Sequence, residues 1–162
     1  MNKENHVFFS APIKGERDQV ERTIIELGKY IKKKGFNIVN EHVVSENPRK
    51  NLAEKLGKSL KDLNDEDIER YNIRKTFEAK YIIAEVSGAS TGVGREIEYA
   101  RNFGYKIKIL CLYQKDHKNS ASPMILGMTK DRYPNVKIAC YKDIEEAKYI
   151  IKDFLNIKIW GN

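Results

Sequence analysis

The segment SGASTGVGRE, residues 87–96, gathers the groups in this chain best suited to chemistry. Gly92 and Gly94 carry no Cβ, so a ligand can come close to the backbone there. A helix beginning at this point would aim its free N–H groups and partial positive charge at an anion. Glu96 follows at once, in what the spacing places as the first helical turn, where the dipole favours its ionised form. A carboxylate held charged beside a sugar is able to attack an anomeric carbon, as the nucleophiles of retaining glycosidases do. The same glutamate would also serve simply as a capping partner or dipole complement.

Neighbouring possibilities fall away on spacing. The glycines fail the dinucleotide pattern GxGxxG at its third position, where Ile97 stands. No GxxxxGK[ST] loop occurs, and Ser90 lacks a GxSxG elbow, which argues against an NTPase and a serine hydrolase. Cys111 and Cys140 stand alone inside apolar runs and are expected as buried thiols, while His6, His42 and His117 show no metal-ligand spacing. No metal site is suggested by these spacings. A net charge of +7, from 30 basic and 23 acidic residues, favours anionic partners. The lysines are scattered without interleaved aromatics, so nucleic-acid binding is not expected.

These residues need a frame, and the hydrophobic pattern supplies one. Apolar runs at HVFFSAP, FNIVNEHVV, YIIAEV, KIKILCLY and VKIACY read as five strands. Helical spacing marks 17–34, 65–78, a helix after the glycine turn ending at Gly104, a short one at 123–128 and a closing one at 143–155 with Asp143 as N-cap. Residues 47–64 are polar and weakly helical, as in a surface excursion. Strands alternating with helices over 162 residues predict a single α/β domain, an open doubly wound five-stranded parallel sheet of flavodoxin or Rossmann type. Its ligand would sit beyond the carboxyl ends of the strands, where the loops after Phe9, Val86 and Tyr113 converge. No run reaches the roughly 20 apolar residues of a membrane helix and the N-terminus lacks a signal-peptide pattern, so a cytoplasmic protein without membrane contact is expected.

With these motifs in place, a resemblance emerges. AEVSGASTGVGREIEYA, FFSAPIKGERD, NEHV and the later ILCLY...SPMILG, in that order, resemble the 2'-deoxynucleoside 5'-phosphate N-hydrolases, relatives of the nucleoside 2-deoxyribosyltransferases, over about Val7 to Leu155. The resemblance implies hydrolysis of a (deoxy)nucleoside 5'-monophosphate to free base and sugar 5-phosphate, without metal or organic cofactor. Glu96 matches the nucleophile that forms a glycosyl-enzyme intermediate. Ser90 matches a serine on the 5'-phosphate, with Gly92 and Gly94 in the same pocket. Ser122, with Met124 beside it, matches a serine that reaches the phosphate across a homodimer interface. The loop Ser10, Ala11, Ile13, Lys14, Gly15 matches the first substrate loop, with Lys14 near the phosphate, and His42 matches a substrate-site histidine.

Two positions depart from the family pattern. Phe8 replaces a tyrosine, removing a hydroxyl able to hold the nucleophile. Asn72 replaces the aspartate that donates a proton to the departing base, and a carboxamide cannot act as a general acid. Asp67, Glu69 or Tyr71 would have to take over, or the base would have to leave readily. Two other readings therefore stand beside the hydrolase: a deoxyribosyltransferase, and a nucleotide-binding module that has lost catalysis.

Overall fold

The computed structural model describes residues 4–13, 15, 17–102 and 106–157. Five parallel strands form one sheet in the order β2-β1-β3-β4-β5, the arrangement of the flavodoxin-like open sheet. They are β1 (His6–Ser10), β2 (Asn37–Ile38), β3 (Tyr81–Glu85), β4 (Lys108–Gln114) and β5 (Val136–Tyr141). The helices are α1 (Arg17–Lys33), α2 (Pro48–Lys55), α3 (Asp65–Glu78), α4 (Thr91–Asn102), α5 (Pro123–Leu126) and α6 (Ile144–Phe154).

Period-two alternation sorts the strand side chains onto two faces. Val7, Phe9, Ile83 and Leu112 join Val20, Ile24 and Leu27 of α1 and Ala147 and Ile151 of α6 in one core. Phe8, Ile82, Ala84 and Cys111 join Val93, Ile97 and Ala100 of α4 in the other. β3 is buried at every position because helices cover it on both sides. Asp143 caps the last helix as expected, its side chain accepting from Glu146 N at 2.9 Å, and Asn64 and Asp67 make a reciprocal capping box on α3 that the sequence reading did not name.

Three expectations need correction. The second strand is only two residues long, because the chain turns at Asn40 into a 3₁₀ helix, Glu41–Val44, that carries His42. The Asn40 carboxamide takes over the ladder there, accepting from Phe9 N at 2.9 Å and donating to Phe9 O at 2.8 Å. Of the two cysteines only Cys111 is buried; Cys140 is exposed, since β5 is the edge strand and leaves Lys137 and Cys140 open to solvent. The polar excursion contains a real helix, α2, whose Leu52 and Ala53 pack with Leu63 and Tyr71 in a small third core. Gly104, the expected stop of the fourth helix, lies outside the described residues, as does Lys14. No helix among the described residues is long and apolar enough to cross a membrane.

Gly28 of α1 shows how tightly the 3₁₀ turn is seated. A Cβ there would lie 2.5 Å from Val44 Cβ, so Gly28→Ala forces the turn off the helix. It is expected to cost about 1–3 kcal/mol in a urea unfolding titration.

Candidate active site

Glu96 lies in the second turn of α4, because the helix begins at Thr91; this corrects the first-turn placement. Its side chain points back to the sheet, where Ser10 Oγ, at the end of β1, donates to Glu96 Oε2. Ser10 shares its strand face with Phe8, and that face is the one α4 covers. The carboxylate therefore sits over the carboxyl ends of the strands, where a doubly wound sheet takes its ligand.

Burial pushes Glu96 up from 4.5 to about 7, with the Ser10 hydrogen bond pulling the other way. The expectation of a firmly ionised carboxylate thus fails: desolvation outweighs a dipole whose effect fades beyond the first turn. A value near neutrality suits a group that must be charged to attack and yet is only lightly hydrated. Ser10→Ala removes the one hydrogen bond that favours the charged form, so the Glu96 pKa should rise further. The rising limb of a kcat/KM profile is expected to move to higher pH in that variant.

Beside the first turn of α4 opens a cavity of about 530 Å³, lined in part by Gly88, Ser90, Gly94, Ser122, Met124 and Arg101. Ser90 starts the helix: its carbonyl accepts from Gly94 N at 3.0 Å and its Oγ lies 3.5 Å from Val93 N. A Cβ on Gly94 would meet nothing within 4 Å, and one on Gly92 only Ser90 Oγ, so these glycines keep the mouth of the turn open. Ser90 and Ser122 line the same cavity of one chain, and Met124 beside them is 82% exposed.

Among the described residues, the only buried side-chain N or O atoms without a hydrogen-bond partner are both ring nitrogens of His42 and Oδ1 of Asn72. The two are linked by Tyr71, whose ring meets His42 edge-on at 5.3 Å. They sit on the 3₁₀ turn and on α3, a helix packed against β1 and α4, the elements that carry Ser10 and Glu96. Burial, aided by Lys55 and Arg17, pushes His42 down to about 4, so its imidazole is neutral at pH 7. Buried polar atoms left unpaired typically cost about 1–3 kcal/mol each, which makes them natural partners for a bound polar molecule.

In the loop after β1, Ala11 is buried in the core shared with α1, Ile13 packs against that core, and Gly15 adopts φ 66, a left-handed turn that suits glycine. Residues that spacing did not single out hold this loop. Arg17 is 5% exposed and donates to Pro12 O at 3.2 Å, Val43 O at 3.2 Å and Ser45 O at 2.5 Å, stapling the loop to the 3₁₀ turn. Its sequence signature is only that of a basic residue opening a helix. Asn40 acts similarly on β1, and nothing in its neighbourhood announces that role. No group of three or more His, Cys, Asp or Glu able to hold a metal occurs among the described residues.

No family model matches the chain. It is 30% identical over 152 residues to the 5-hydroxymethyl-dUMP N-hydrolase of Esox lucius, covering 92% of this chain and 94% of that one. The chain belongs to the 2'-deoxynucleoside 5'-phosphate N-hydrolase family. A Thermofilum pendens protein that bears the family's name is 28% identical over 141 residues, 87% of this chain and 88% of its own. Two solved structures share the fold: the Clostridium botulinum CMP N-glycosidase BcmB, with TM-score 0.62, 18% identity and 92% and 98% coverage, and BlsM, with TM-score 0.65, 19% identity and 98% coverage of each. The protein is thus an enzyme of the N-hydrolase, or N-glycosidase, type.

The side chains weighed above as substitutes for an acid at position 72 are all engaged or buried. Asp67 is committed to the α3 cap and to Lys58 at 2.7 Å, and Glu69 pairs with Arg95 at 2.5 Å on the surface. Tyr71 is buried, its hydroxyl 3.5 Å from Val39 O, and burial raises its pKa, which makes it a poor proton donor. His42, with a pKa of about 4, carries too little proton at neutral pH to serve.

Proposed function

We propose that this N-hydrolase cleaves the N-glycosidic bond of a nucleoside 5'-monophosphate through a covalent glycosyl-Glu96 intermediate. The observation that carries the reading is Glu96 at the carboxyl ends of the strands, hydrogen-bonded by Ser10 and raised to a pKa of about 7. Its ionised Oε attacks C1', the base leaves with the bond electrons, and water then opens the glycosyl ester to give sugar 5-phosphate and regenerate the carboxylate. Metal or cofactor has no assigned part in this sequence of steps.

The 5'-phosphate is assigned to the mouth of α4, where Ser90 and the open backbone at Gly92 and Gly94 offer donors. Asn72 and His42, the two residues with unpaired buried polar atoms, are assigned to the base. The relative from Esox lucius is named for 5-hydroxymethyl-dUMP and BcmB for CMP, so pyrimidine monophosphates head the substrate panel. The test is base release followed by chromatography from deoxy- and ribonucleoside monophosphates and their nucleosides. Release confined to monophosphates supports the reading; release from nucleosides alone, or sugar transfer to an added base, overturns it. The carboxamide at Asn72 also favours a second reading, a nucleotide binder without turnover, which tight monophosphate binding with no base release would establish.

We further assign the working form to a homodimer in which Ser122 serves the neighbouring site, a reading supported by the exposed apolar Met124 on the rim of the cavity. Mixing Ser122→Ala with Glu96→Ala subunits is then expected to give mixed dimers with one intact site and recovered activity. Two inactive parents that stay inactive in the mixture would place Ser122 in its own chain's site.

A further inference from the structure

Glu85, the last residue of β3, is 0% exposed, and none of the steps above uses it. Alternation along β3 puts it with Tyr81 and Ile83 on the face covered by α1 and α6, away from α4 and Glu96. Its carboxylate accepts from Ser87 Oγ, from Ser87 N at 3.3 Å and from the Tyr141 hydroxyl at 3.1 Å. Ser87 Oγ in turn accepts from Gln114 N at 2.8 Å. One buried network thereby joins the carboxyl ends of β3, β4 and β5, and Ser87 and Tyr141 are as deeply buried as Glu85.

Holding an acid here is costly for stability. Burial raises the Glu85 pKa against the pull of its hydroxyl donors, and a buried polar cluster replaced as a whole by apolar side chains is often no less stable. Such an arrangement calls for a function that an apolar residue would not supply. The network ends on Ser87, and the chain runs from Ser87 to the first turn of α4 through Gly88, Ala89, Ser90 and Thr91, which line the 530 Å³ cavity. On its other side Val86 N donates to Leu112 O at 2.8 Å. The loop thus leaves the sheet from a point fixed on three strands.

The geometry points to Glu85 as a positioning residue: acting through Ser87 from the reverse face of the sheet, it sets the loop that presents Ser90 and the α4 N–H groups to the phosphate. This rests on the assignment of the phosphate to that turn, so the test reads phosphate binding separately from turnover. Glu85→Leu, Glu85→Gln and Ser87→Ala are compared with the parent for Tm, for the affinity of inorganic phosphate and of ribose 5-phosphate by calorimetry, and for KM and kcat on a monophosphate that the parent cleaves. Glu85→Leu, which leaves the Ser87 and Tyr141 donors without their acceptor, is expected to lower Tm and, beyond that, to weaken both anions and raise KM about tenfold. Glu85→Gln, still able to accept from a hydroxyl, should fall between.

Parent-like anion affinity and KM in folded Glu85→Leu overturns the inference, because a merely structural clamp would move Tm and leave KM alone. Should that variant fail to fold, Ser87→Ala decides by the same readouts, since it cuts the link to the loop and leaves Glu85 paired with Tyr141. A parent protein that binds neither anion overturns the phosphate assignment itself, and the positioning role with it.

Discussion

Replacing Glu96 by glutamine is expected to lower base release at least about a thousandfold while leaving a folded protein that still binds monophosphate. A carboxamide cannot form the glycosyl ester, yet it fills the same volume and still accepts from Ser10. The substitution should also stabilise the protein in a pH-dependent way. Because the folded-state pKa of Glu96 is about 7 against an ordinary 4.5, the stability associated with its neutral form is fully present below about 4.5 and is lost as pH rises through 7. Glutamine has no such loss, so the variant is expected to melt higher than the parent above pH 7 and to match it at pH 4. Base release that survives the substitution would remove Glu96 from the chemistry; a melting difference independent of pH would remove it from the buried setting described here.

Asn72→Asp is expected to raise the rate by about a hundredfold, the lower end of what a general acid contributes. The side chain is 7% exposed and its Oδ1 has no partner, so a carboxylic acid of the same shape fits the space and, kept neutral by desolvation, would carry a proton near neutral pH. The pH profile should change form as well. In the parent, kcat/KM should rise through about pH 7 as Glu96 ionises and then level off; in the variant it should turn down again where the new acid loses its proton. A rate and profile identical to the parent's would show that position 72 does not reach the departing base.

The sheet was legible because its signals are local. Apolar runs at β1, β3 and β4 are continuous, turn glycines and an N-cap aspartate punctuate the helices, and α3 spans the residues read for it, 65–78. The errors fell where a tertiary partner overrode a local preference. FNIVNEHVV reads as one strand by composition, but the Asn40 side chain bonds to Phe9 in place of a further strand residue and turns the chain. Cys140 sits in an apolar run, but only the order of strands puts that run at the sheet edge.

The site divides along the same line. The sequence by itself determined which groups are available: one carboxylate behind a glycine-rich turn, a serine at each candidate phosphate position, and a carboxamide where the resemblance leads one to expect an acid. Those are matters of covalent identity and short spacing, which survive in any conformation. Only the tertiary structure decided how the groups behave. It brought Ser10 to Glu96 across 86 residues, raised the carboxylate to about 7 by burial, and left the His42 ring nitrogens and Asn72 Oδ1 without hydrogen-bond partners. It also tied Asp67 and Glu69 into the surface and set Glu85 behind the loop. Desolvation and hydrogen-bond partnership depend on what packs nearby in space, and spacing along the chain carries no record of that.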